Sequence, residues 1–217
     1  IDHLREALTE PGEWYLDRLA GRLIYLPMSD EQLGRTRIVA PRLSMFIRAD
    51  GARPERSPGP RDRVYERRVE GLRFEGLVFR HADWFHALAD VLAQDRQRLE
   101  ERPLGGASQA APHVPAAIEF RRASGCGVER CTIEHIGCYG VAFGPGCADG
   151  VVRACHLRDL GAGGVRADGA ERDGPPYDRT GHLTVEDNLI TEYGQVFHEA
   201  VGVLLMRAFG CRIAHNE

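Results

Sequence analysis

Residues 128–165 carry the same grammar twice. V-E-R-C-T-I-E-H-I-G-C-Y-G-V-A-F is followed by V-R-A-C-H-L-R-D-L-G-A-G-G-V-R-A. Cys131 corresponds to Cys155, Ile133 to Leu157, Ile136 to Leu160, Gly137 to Gly161 and Val141 to Val165, a period of 24 residues. The pattern returns as V-E-D-N-L-I-T-E-Y-G, with Asn188 in the cysteine slot, and begins again as I-A-H-N-E with Asn216 there. Upstream, F-E-G-L-V-F-R-H fits the same frame, with Leu77 in the slot and Phe79 as its apolar partner. A unit this short cannot bury an apolar face alone, so it must stack on its neighbours.

The period also selects the kind of stack. Apolar residues come in short alternating pairs between glycine turns, without the i, i+3, i+4, i+7 recurrence of a helix. Coils of short strands at this length form an all-β parallel β-helix, each coil about 4.8 Å above the last. A leucine-rich repeat competes on length, but no L-x-x-L-x-L run appears. Isoleucine, valine and leucine columns would fill the core, and Cys131, Cys155, Asn188 and Asn216 would form an inward ladder at one corner. The six cysteines lie within or beside the coils at C-x4-C, C-x6-C and C-x8-C spacings, which are not those of a zinc site. Stacked core thiols and disulfides both remain open. A formal charge of −4, without blocks of one sign, gives no argument for nucleic acid or a membrane surface. The chain opens without methionine and closes inside a repeat, as a piece of a longer protein would.

Three segments break the regularity. Residues 1–68 precede the regular coils: a hairpin over 13–27 (Trp14 and Leu16 against Leu23 and Tyr25), an apolar piece over 39–50, and a loop rich in arginine, proline and glycine. The coils run over 69–217, interrupted at 84–116, where Leu88, Val91, Leu92 and Leu99 predict one helix from Trp84 to Glu101. Surplus residues also lie over 167–182 and between Gly194 and Gly202. Insertions in a solenoid lie outside its coils, and extra loops on consecutive coils tend to wall one site.

P-G-E-W-Y-L-D-R-x-x-G-x-L-I-Y-L-P over 11–27, then V-A-P-R-L, L-R-F-E-G-L-V-F-R-H-A-D-W and D-L-G-A-G-G-V-R carry a resemblance. They resemble the secreted bacterial right-handed β-helix proteins related to glycoside hydrolase family 141, within the pectate-lyase-like superfamily. The resemblance runs from about Pro11 to Glu217. It implies a secreted or periplasmic protein, monomeric as the full-length chain. It also implies action on plant cell-wall glycans such as fucosylated pectin or xylan, with a polysaccharide or oligosaccharide as partner. Catalytic aspartates of that family lie on later coils.

The residues themselves offer candidates. Glycoside hydrolysis needs two carboxyls, about 5–5.5 Å apart for retention and roughly 6.5–9.5 Å for inversion. One column, two places before the glycine, runs His135, Asp159, Glu192. Asp159 and Glu192 on adjacent coils would make a close catalytic pair, and the same column serves equally to satisfy turn amides. Glu199, beside His198 on the inserted loop, is a further catalytic candidate. His135, Arg166, His198 and Trp84 are candidates for holding substrate, Arg166 through a sugar hydroxyl or a uronate carboxylate. Trp14, Tyr139, Tyr177 and Tyr193 offer sugar-stacking surfaces or simply core. No cofactor is required, though Asp168, Asp173 and Asp178 raise calcium, as in a polysaccharide lyase. A non-catalytic carbohydrate-binding or structural β-helix is the other class.

Overall fold

The computed structural model describes residues 5–17, 19–52, 67–83, 109–171 and 173–217. The helix expected over 84–101, and Trp84 with it, lie outside the described residues. Contacts divide the chain into residues 1–40 and residues 41–217. In the first unit β1 (Trp14–Asp17) pairs antiparallel with β2 (Arg22–Tyr25). Trp14 stands opposite Tyr25 and Leu16 opposite Leu23, the register the alternation predicts.

The second unit is a parallel β-helix, and each coil visits three long sheets in turn. The first sheet holds β3 (Ile47–Asp50), β7 (Ala116–Arg121), β11 (Tyr139–Phe143), β14 (Val165–Asp168) and β18 (Val203–Met206). The second holds β5 (Arg73–Glu75), β9 (Gly127–Glu129), β12 (Val151–Arg153), β16 (Thr184–Glu186) and β20 (Arg212–Ala214). The third holds β6 (Val78–Ala82), β10 (Thr132–Ile136), β13 (His156–Leu160) and β17 (Leu189–Thr191). Between the first and second sheets, β4 (Val69–Glu70) pairs with β8 (Ala123–Ser124), and β15 (Thr180–Gly181) with β19 (Ala208–Phe209). Single bridges through Ala148 join these two pairs. The repeat read from sequence is the stacking register: Ile133 lies beside Leu157, Ile136 beside Leu160 and Val141 beside Val165.

One residue in left-handed backbone turns each corner. Ahead of the ladder slot the residues are Gly76, Arg130, Ala154, Asp187 and His215, with φ from 51° to 66°. Only glycine takes this conformation freely, and other residues pay about 1–3 kcal/mol. The slot residue that follows offsets this cost. Cys131 Sγ donates to Phe74 O, Cys155 Sγ to Val128 O, Asn188 Nδ2 to Val152 O and Asn216 Nδ2 to Val185 O. In every case the acceptor lies on the preceding coil, three residues before that coil's own slot. The same side chains accept in return. Cys131 Sγ receives Leu77 N, Asn188 Oδ1 receives Cys155 N, and Asn216 Oδ1 receives Asn188 N at 3.1 Å. The expected corner ladder is present, and it explains why cysteine and asparagine interchange: both donate and accept from a short side chain.

Ile118, Phe120, Val128, Ile133, Val141, Val152, Leu157, Leu160 and Val165 fill the interior and are fully buried. All six cysteines are free thiols, and five are buried. Burial pushes Cys138 and Cys147 up to about 12 and Cys155 to about 11, so these thiols stay protonated and unreactive near neutral pH.

Candidate functional site

The corner between the third sheet and the first carries the predicted carboxylate column. Ile133 and Ile136 both point into the core, so Glu134 and His135 both turn outward. The extra outward place comes from a left-handed turn at His135, whose φ is 54°. His81, Asp159 and Glu192 repeat it on their own coils, at 67°, 50° and 51°. Two adjacent polar columns result on the surface. The first is an ion ladder: Glu134, almost fully buried, lies between Arg80 and Arg158, each 2.7 Å away. The hydrogen bond from Arg158 holds the Glu134 carboxyl below its ordinary range.

The second column is the candidate site. The His81 and His135 rings stack at 5.3 Å and 9°. His135 Nδ1 lies 2.6 Å from Asp159 Oδ2, with the Asp159 side chain 47% exposed. Glu192 occupies the next coil, joined through its carbonyl to the Leu160 amide at 3.0 Å, and is exposed. The structure thus sets His135, Asp159 and Glu192 at equivalent corner positions of successive coils, with a side-chain contact between His135 and Asp159. Glu192 leads directly into the 194–202 insertion, which carries His198 and Glu199. There His198 Nδ1 donates to the Gly194 carbonyl at 2.8 Å, closing its own turn, and Glu199 is exposed.

Arg166 stands elsewhere, on the outward face of the first sheet. Its Nη1 donates to Pro112 O, its guanidinium carbon lies 6.0 Å from the centre of the Tyr139 ring, and its Nε is buried with no hydrogen-bond partner among the described residues. Burial pushes the Arg166 guanidinium below its ordinary value, against the pull of Glu119 and Asp168. Tyr139 is not a sugar-stacking surface: it is fully buried, and its hydroxyl donates to Ala110 O at 2.7 Å. The Ala110 carbonyl reaches the tyrosine from a distant segment, a contact that no repeat predicts. Tyr193 is exposed.

Of the aspartates considered for calcium, Asp168 is held on both oxygens by Arg207, at 2.7 and 2.6 Å. Asp178 is buried, 4.0 Å from Arg122, and Asp173 is exposed on the loop. Among the described residues, no three His, Cys, Asp or Glu side chains converge as metal ligands.

Sequence reading did not single out Glu119 and Arg121. They lie two apart on β7 and pair on the outward face at 2.7 Å. Strict alternation in A-I-E-F-R, with Ile118 and Phe120 inward, was the available signal. The Glu134–Arg158 pair was likewise legible as opposite charges one period apart.

These features define a parallel β-helix bearing a carboxylate column at one corner and a charged outward sheet beside it. A solved structure titled "Glycoside hydrolase" shares this fold, with a TM-score of 0.73 and 22% sequence identity over 94% of this chain. The chain spans about 36% of that protein's length. No protein-family model matches the sequence. No curated protein matches it either.

Proposed function

We propose that this chain belongs to a carbohydrate-active β-helix protein that hydrolyses glycosidic bonds in a plant cell-wall or similar polysaccharide. One observation carries the reading. Asp159 and Glu192 occupy equivalent outward positions on adjacent coils, both accessible, at the mouth of an inserted loop. Coil spacing sets equivalent backbone positions about 4.8 Å apart, close enough for side chains on adjacent coils to reach the roughly 5–5.5 Å carboxyl separation used by retaining glycosidases. The fold shared with a protein titled as a glycoside hydrolase supports the same direction. Asp159 and Glu192 would serve as nucleophile and acid/base, His135 would orient Asp159, and Glu199 with His198 would line the approach.

The test is release of reducing ends from fucosylated pectin and xylan oligosaccharides, with Asp159→Asn and Glu192→Gln beside the parent. Each substitution is expected to lower the rate by roughly 100-fold or more, the contribution of a positioned acid or base. A parent protein inert on every glycan, or variants as active as the parent, would reject the proposal. One observation favours a non-catalytic β-helix instead: Asp159 is already hydrogen-bonded to His135 in a column continuous with the ion ladder. On that reading both substitutions lower the melting temperature and leave glycan binding intact.

A further inference from the structure

Arg166 has more hydrogen-bonding capacity than its surroundings use. A guanidinium carries five N–H donors and no acceptor. Among the described residues its one hydrogen bond goes from Nη1 to Pro112 O, the Tyr139 ring lies at 6.0 Å, and Nε is buried without a partner. The carboxylates nearest to it are committed elsewhere. Glu119 accepts from Arg121 at 2.8 Å, and Asp168 is gripped on both oxygens by Arg207. In register, the coil before places Ala142 beside Arg166 and the coil after places Leu204, and neither side chain can bond it. Among the described residues this largely enclosed cation has no ion-paired carboxylate. Charges removed from water are normally paired, and an orphaned buried donor in a native fold needs an explanation.

The shape of the unused part says what would fit. Guanidinium donors lie along edges, and two neighbouring N–H groups receive a planar carboxylate through parallel bonds. Nη1 is engaged by Pro112, which leaves the edge formed by Nε and Nη2. Because Nε is already shut off from water, an anion bonding there displaces no hydration from it. The adjacent wall is strained: Ala110 and Ala111 have φ of 62° and 44°, backbone that alanine adopts only at a cost. That wall supplies the carbonyls bonded by Tyr139 and Arg166, and it is the part that would have to shift for a ligand to reach Nε.

We infer that Arg166 is the cationic end of a binding site for a carboxylate-bearing ligand, a uronic-acid residue where the ligand is a carbohydrate. The identity of the ligand rests on the carbohydrate reading above, whereas the preference for a carboxylate rests on the arginine itself. The probes are tri-galacturonic acid and its fully methyl-esterified form, alike in shape and different in charge, titrated calorimetrically into the protein. The acid is expected to bind at least about tenfold tighter, with an advantage that shrinks as salt rises. Arg166→Gln keeps an amide donor for Pro112 and is expected to abolish that advantage. Arg166→Lys keeps the charge but not the two-pronged edge, and is expected to retain only a minor part of it. Thermal melting of both variants identifies any that is misfolded, and the other then decides. Equal binding of acid and ester, no binding of either, or an advantage that survives in Arg166→Gln would overturn the inference. Hydrolysis is scored separately: acid preference without cleavage upholds this site and rejects the hydrolase, and cleavage without acid preference does the reverse.

Discussion

At the scale of single residues, the corner slot shows how one side chain stabilises a solenoid. Asn188 donates to Val152 O at 3.0 Å and accepts Cys155 N at 2.9 Å, so it serves two backbone groups of the preceding coil. Asn188→Ala would leave both groups buried and unpaired, a loss of roughly 2–3 kcal/mol. Asn188→Cys, which copies the residue found one and two coils earlier, is expected to cost less than half as much. Denaturant unfolding of both variants checks this, and equal losses would mean that the slot selects for volume rather than hydrogen bonding. This ladder was legible because it depends on residue type at a fixed offset. The bond between His135 and Asp159 was less so. Sequence placed both in one column, but side-chain torsions decided that Asp159 turns toward the histidine.

At the scale of elements, outward charges tie neighbouring coils. Arg73, Glu129, Arg153, Glu186 and Arg212 form a continuous chain of ion pairs across the second sheet, and Arg80, Glu134 and Arg158 do so across the third. Exposed pairs of this kind contribute little singly, whereas Glu134 is almost fully buried between two arginines. Hydrogen bonding from Arg158 lowers the Glu134 pKa from its ordinary 4.5. A depressed carboxyl contributes stability above its unfolded value, and that contribution is lost as pH falls through the folded value. Stability should therefore decline as pH drops below about 4.5, and Glu134→Gln should flatten that acid limb while lowering stability at pH 7. Urea unfolding between pH 3 and 7 reads the slope directly, and an unchanged slope in the variant would exclude Glu134 as its source. The same logic applies to Glu186, lowered by Arg212 first and Arg153 second.

At the scale of the whole solenoid, the insertions and the core are distributed unevenly. Among the described residues, the 192–202 segment leads into the first sheet between β17 and β18. The middle coils are the most enclosed: β7 and β11 are buried along nearly their whole length, whereas β18 is half-buried and β20 mostly exposed. Local opening follows such burial. Amide exchange is expected to be slowest in β7, β10, β11 and β13 and at least about 100-fold faster in β18–β20. Uniform protection along the chain would contradict that gradient. The amino-acid sequence by itself determined the coil, its register, the corner ladder and the hairpin, because a stacked fold repeats each local rule at a constant offset. Only the tertiary structure decided that Tyr139 is buried, that Asp168 belongs to Arg207 and that Arg166 meets Pro112. Those outcomes depend on where aperiodic insertions return against the coils and on which competing partner a side chain reaches first. Neither is encoded in a period.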